Sequence, residues 1–88
     1  MKNLVSTNWL EKNSNNVRIL DGSWHLPSSN RNASEEFKNS HIENSIFFDI
    51  DKNSNQNSSL PHMLPEKDNW EKIMSEMGIK NSDHIVIY

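Results

Sequence analysis

Four histidines and no cysteine set the limits of the chemistry that these 88 residues hold by themselves. Without a thiol there is no disulfide, no thiolate metal site and no sulfur nucleophile within the chain. His25, His41, His62 and His84 show no ligand spacing such as HxxxH, so no metal site and no cofactor is expected. His62 differs from the others in its setting, the hexapeptide "LPHMLP". Two of the chain's three prolines bracket it: Pro61 restrains Leu60, and Pro65 is expected to start the helix that follows, leaving the residues between few conformations. An imidazole presented in this way can exchange a proton near neutral pH. It can equally serve as a polar contact in a loop packed against another domain, the prolines limiting the entropy lost on ordering. Arg31 has the same two readings, facing an anionic substrate or standing as a solvated loop cation. His41 is expected to be structural, bonded near Asp21.

Length and charge narrow the classes of function. A chain of this size makes one small domain at most and buries only roughly 60 to 65% of its unfolded surface. Leu, Ile, Val and Phe number 20 of 88, just above the roughly 20% level below which disorder is expected, so the chain is foldable with a thin core. The net charge of −3, with acids and bases interspersed, offers no basic face to a phosphate backbone and sets nucleic acid aside as a partner. No run approaches the roughly 18 apolar residues of a membrane span, and the start of the chain lacks the basic and apolar regions of a signal peptide. A cytoplasmic protein outside the membrane is the expectation.

The elements that must position these side chains follow from periodicity and punctuation. Ser6 reads as the cap of a short helix over "TNWLEKN" that ends by Asn13, with Val5 stapled to Leu10. "VRIL", Val17 to Leu20, reads as a strand closed by the turn residues Asp21 and Gly22. Residues 23 to 33 form a loop leading to Ser34 as cap of one or two helical turns. "SIFFDID", Ser45 to Asp51, is apolar enough for a strand covered on both faces. A stretch of about 15 residues without periodicity follows, a length at which loops are usually functional or disordered. Trp70, Ile73, Met74 and Met77 then make one stripe of a helix, with Gly78 just past its end. "HIVIY", His84 to Tyr88, is a last strand. Alternating strands and helices imply an open parallel α/β sheet that binds ligands beyond the carboxyl ends of its strands. The last strand stops where its loop would begin, so the sheet is expected to be incomplete at its C-terminal side.

"VSTNWL", "ILDGSWHLP", "EFKNSHI", "FFDID", "LPHMLP", "MGI" and "DHIVIY", in this order, resemble the N-terminal domain of two-domain rhodaneses, the thiosulfate and 3-mercaptopyruvate sulfurtransferases. "SWHLP", "FFDID" and "LPHMLP" together point to the mercaptopyruvate-type branch. One departure stands out: after Phe37, His41 and Ile42 the family continues Pro-Gly-Ala, whereas this chain has Glu43, Asn44 and Ser45, which bears on the local turn geometry. The resemblance implies a rhodanese-like fold, with residues 1–88 as a partial N-terminal domain and the catalytic C-terminal domain absent. It implies transfer of sulfane sulfur from thiosulfate or 3-mercaptopyruvate to a thiol, cyanide or other thiophilic acceptor through a cysteine persulfide. This chain would then be the non-catalytic part, inactive alone. Asp51 and His62 match the aspartate and histidine proposed in relatives as an accessory pair acting with a serine from the cysteine loop. Asp51 also reads as a plain cap in an Asn-rich loop. The alternative for the whole chain is a rhodanese-like binding or regulatory module without chemistry.

Overall fold

A computed structural model describes residues 3–88 of the chain. Helix α1, Thr7–Asn13, begins where the Ser6 hydroxyl accepts the Trp9 N–H at 3.0 Å and ends at Asn13, whose side chain donates back to the Trp9 carbonyl at 2.8 Å. Strand β1 spans Arg18–Asp21, one residue later than its apolar run suggested. Asp21 belongs to it because its carbonyl accepts the Phe48 N–H at 2.8 Å. Ile19 and Leu20 point to opposite faces and both are buried, which is what a central parallel strand requires.

Helix α2, Ala33–Asn39, starts earlier than expected. Asn32, not Ser34, is the cap: its side-chain oxygen accepts the Glu35 N–H at 3.0 Å, and Asn caps as well as Ser. Glu35 and Glu36 then fall in the first turn, where the helix dipole favours them. The turn after α2 accommodates the departure from Pro-Gly-Ala directly. Asn44 takes a left-handed backbone, φ 68°, a conformation that Asn tolerates better than most side chains. The Tyr88 hydroxyl accepts the Ile42 N–H at 3.3 Å and closes the turn onto the sheet.

Strand β2 covers only Ser45–Phe47, shorter than the apolar run to Asp51. It stops because Asp49 caps a one-turn helix α3, Ile50–Asn53, accepting the Lys52 N–H at 3.1 Å. Asp51 therefore stands in the first turn of α3 and not at a strand end. The expected loop is tied down: Gln56 donates to the carbonyls of Asp51 and Ser54 at 2.7 and 2.9 Å, and the Asn55 N–H reaches the Met63 carbonyl at 2.8 Å.

Helix α4, Lys67–Glu76, has Glu66 at its N-cap position with no side-chain capping bond, which leaves Pro65 just ahead of the helix instead of inside its first turn. Its far end is a Schellman motif. Gly78 adopts φ 74°, and the N–H groups of Gly78 and Ile79 return to the carbonyls of Ser75 and Met74 at 3.0 and 2.9 Å. Strand β3, Ile85–Ile87, completes a parallel sheet of order β2-β1-β3, in which Leu20 is level with Ile46 on one side and Ile87 on the other. No helix among the described residues is long and apolar enough to cross a membrane.

Candidate functional site

The carboxyl ends of β1 and β2 deliver two segments to one place. The Asp21 carboxylate accepts the Ser23 N–H at 2.9 Å, turning the chain as it leaves β1, while the Gly22 N–H bonds the Tyr88 carbonyl at 2.8 Å. This anchored turn sets Trp24 over the start of α3. There the Trp24 indole N–H donates to both oxygens of Asp51, at 3.1 and 3.2 Å. From the other side His62 comes in, its Nε2 lying 2.5 Å from Asp51 Oδ1. The Trp24 and His62 rings meet nearly at right angles, with centroids 5.0 Å apart.

His62 carries a left-handed backbone, φ 56°, unusual for a side chain other than glycine. A residue in this region persists only where its surroundings fix it; here Pro61 precedes it and the Met63 carbonyl is bonded one residue later. The side chain of His62 is 30% exposed and that of Asp51 67%, so the pair is within reach of solvent and of a ligand. The His62 ring nitrogen holds the Asp51 carboxyl below the usual carboxylate range, with partial desolvation opposing this and the Trp24 N–H assisting. Asp51 therefore stays ionised over the physiological range. A carboxylate on Nε2 leaves Nδ1 as the nitrogen free to take or give a proton.

Two open clefts meet at Asp51. One, of about 230 Å³, is lined by Trp24, His25, Arg31 and Asp49 among others. The second, of about 310 Å³, lies against Gln56, Ser58, Leu60, Pro61 and His62.

The remaining candidates are occupied elsewhere. Arg31 lines the first cleft, but its guanidinium forks onto Glu36 at 2.6 and 3.2 Å, and this pairing holds Glu36 below its ordinary range. His25 Nε2 sits 3.2 Å from the same carboxylate. His41 does not bond Asp21: its Nδ1 lies 2.6 Å from the Phe37 carbonyl one turn back, and the ring stacks on Phe37. His84 lies against Trp9, their ring centroids 5.6 Å apart. No group of three or more side chains able to hold a metal gathers among the described residues. Trp24 is the member of this arrangement that sequence reasoning passed over. Its position just after the turn that ends β1 was the available signal.

This arrangement, a parallel sheet whose strand ends carry the polar residues, is shared with a solved structure of the rhodanese fold. The chain superposes on the crystal structure of SseA from Escherichia coli, described as a 3-mercaptopyruvate sulfotransferase with the rhodanese fold. The TM-score is 0.89 at 32% identity, over 100% of this chain and 35% of SseA. Tum1 from Saccharomyces cerevisiae gives a TM-score of 0.87 at 34% identity, over 97% of this chain and 30% of Tum1. No protein-family model matches the chain. In sequence it is 40% identical over 87 residues to thiosulfate/3-mercaptopyruvate sulfurtransferase 1, mitochondrial, of Arabidopsis thaliana, a match covering 97% of this chain and 23% of that protein. It is 36% identical over 91 residues to the 3-mercaptopyruvate sulfurtransferase of Mus musculus, with 97% and 31% covered. Over almost its whole length the chain is thus related in sequence and fold to part of the thiosulfate/3-mercaptopyruvate sulfurtransferases. It spans between 23% and 35% of the length of these relatives.

Proposed function

We propose that this chain is the N-terminal, non-catalytic part of a rhodanese-type sulfurtransferase, and that Asp51 and His62 are its accessory proton-handling pair. The observation that carries this reading is the 2.5 Å contact between His62 Nε2 and Asp51 Oδ1 at the carboxyl ends of the strands, open to clefts on both sides. Sulfur transfer from 3-mercaptopyruvate needs a thiolate, and this chain has no cysteine. The nucleophile therefore comes from outside these residues.

The chemistry assigns a definite task to the pair. As an external cysteine thiolate attacks the donor's thiol sulfur, the S–H proton passes to His62 Nδ1 and the new S–S bond forms. The C–S bond breaks with its electrons on carbon as the enolate of pyruvate, and His62 returns the proton to that carbon. Cysteine persulfide and pyruvate are the products, and a thiol or cyanide acceptor then takes the outer sulfur. Asp51 holds the imidazole in the tautomer this requires and stabilises the imidazolium that forms. The 88-residue chain assayed alone should release neither pyruvate from 3-mercaptopyruvate nor thiocyanate from thiosulfate and cyanide. Turnover above background would overturn the requirement for an external cysteine.

A rhodanese-like binding module without chemistry is the competing reading, favoured by the missing thiol alone. It predicts that the natural polypeptide carrying this chain has no cysteine that reacts with thiosulfate or 3-mercaptopyruvate to give a persulfide.

A further inference from the structure

We infer that Trp24 is the positioning residue of this site: its indole N–H fixes the Asp51 carboxylate, and its ring fixes the plane of the His62 imidazole. The inference rests on the reading of Asp51 and His62 as the proton-handling pair. Asp51 needs such a restraint. Its side chain is 67% exposed and stands on a helix of four residues, so neither burial nor a rigid element limits its rotation. A single contact with His62 would leave the carboxylate free to swing about that contact.

Trp24 removes this freedom by geometry. Its N–H bonds both carboxylate oxygens, which sets the direction from which the group is approached. An indole nitrogen only donates, so the polarity of this bond has one possibility and the carboxylate is its acceptor. The same side chain meets the imidazole nearly at right angles, with centroids 5.0 Å apart, which opposes rotation of the histidine ring about its own bond. Trp24 is itself anchored through the Asp21–Ser23 turn and the Gly22–Tyr88 bond to the central strand, the best buried part of the molecule. The restraint thus passes from the core to the site through one residue.

Trp24→Phe keeps an aromatic ring against His62 and deletes the donor. In the natural polypeptide carrying this chain, kcat for 3-mercaptopyruvate should fall about tenfold, the size expected for a lost hydrogen bond to a charged group, with KM within about twofold. The Asp51 titration midpoint, followed by carboxyl carbon NMR, should rise at the same time. Normal kcat and an unmoved midpoint in Trp24→Phe, with Asp51→Asn and His62→Asn both impaired, would overturn the positioning role and leave the pair. Normal turnover in all three variants would overturn the reading of the pair itself. A measurement on the unaltered 88-residue chain guards against a variant that fails to fold: the Trp24 indole proton should resonate apart from those of Trp9 and Trp70 and move as Asp51 is protonated. An indole signal at the position of the other two, unmoved by acid, would contradict the inference.

Discussion

His62 reaches back across 11 residues to place its Nε2 2.5 Å from Asp51 Oδ1, and it does so from a left-handed backbone at φ 56°. The loop between them is therefore built to present the imidazole, with Gln56 and Asn55 bonding the backbone on the way. A non-glycine side chain costs about 1 kcal/mol or more in this conformation, and Asn is among the residues that bear it best. His62→Asn should then be more stable than His62→Ala by roughly 0.5 to 1 kcal/mol, although both lack the imidazole. Guanidinium unfolding of the two variants measures the difference. Equal stability would mean that the backbone at residue 62 relaxes once the ring is gone.

The depressed Asp51 carboxyl makes a prediction with a definite sign. Its folded value lies below its ordinary value of 3.8, so the folded chain binds the proton less readily than the unfolded one. The pair's contribution to stability is present above that value and is lost as pH falls through the lower, folded one. The stability gap between the natural sequence and Asp51→Asn should close as the pH falls below about 4. A gap that persists undiminished in strong acid would show that the folded chain does not hold the Asp51 carboxylate ionised.

Asn44 occupies a left-handed turn, φ 68°, a conformation that glycine adopts without steric cost. Asn44→Gly should raise stability by a few tenths of a kcal/mol up to about 1, and Asn44→Ala should lower it by about 1. Thermal melts of the three sequences check the order. A destabilised Asn44→Gly would mean that the Asn side chain contributes something besides tolerance of the backbone.

Asp49 caps the short helix that carries Asp51. Asp49→Ala should cost about 1 kcal/mol of stability and lower turnover as well, since Asp51 loses its platform. Asp49→Ser or Asp49→Asn, which keep a capping oxygen, should restore most of both. Failure of these to rescue would point to a role for the Asp49 charge itself.

Elements are more legible in this sequence than their edges, for physical reasons tied to single side chains. Periodicity placed α4 and the three strands, and the turn residues Asp21 and Gly22 closed β1 within one residue. It extended β2 to Asp51 because Phe47, Phe48 and Ile50 read as one apolar run. What ends the strand is the Asp49 side chain bonding the Lys52 N–H, a contact that hydrophobicity does not register. It likewise placed the α2 cap at Ser34, since Asn32 and Ser34 are both capable and only the backbone path decides between them. His62 stands out in the sequence by its two bracketing prolines, whereas Asp51 and its pairing with His62 enter only through family resemblance, since nothing in their spacing joins them. Trp24 reads from sequence only as a core or interface aromatic, because its contact with Asp51 spans 27 residues of chain and an exposed tryptophan carries no sign of where its N–H points.

The central claim is that Asp51 and His62 handle the proton for a sulfur transfer whose nucleophile lies outside this chain. The most direct test is steady-state turnover of 3-mercaptopyruvate by the natural polypeptide carrying the chain, with His62→Asn and Asp51→Asn measured beside it and their folding verified by circular dichroism. The account predicts that each variant loses well over tenfold in kcat, within the range that a positioned proton-transfer group contributes, and that the two losses are not additive. Unchanged turnover in a folded His62→Asn would contradict it and leave the loop with a packing role alone.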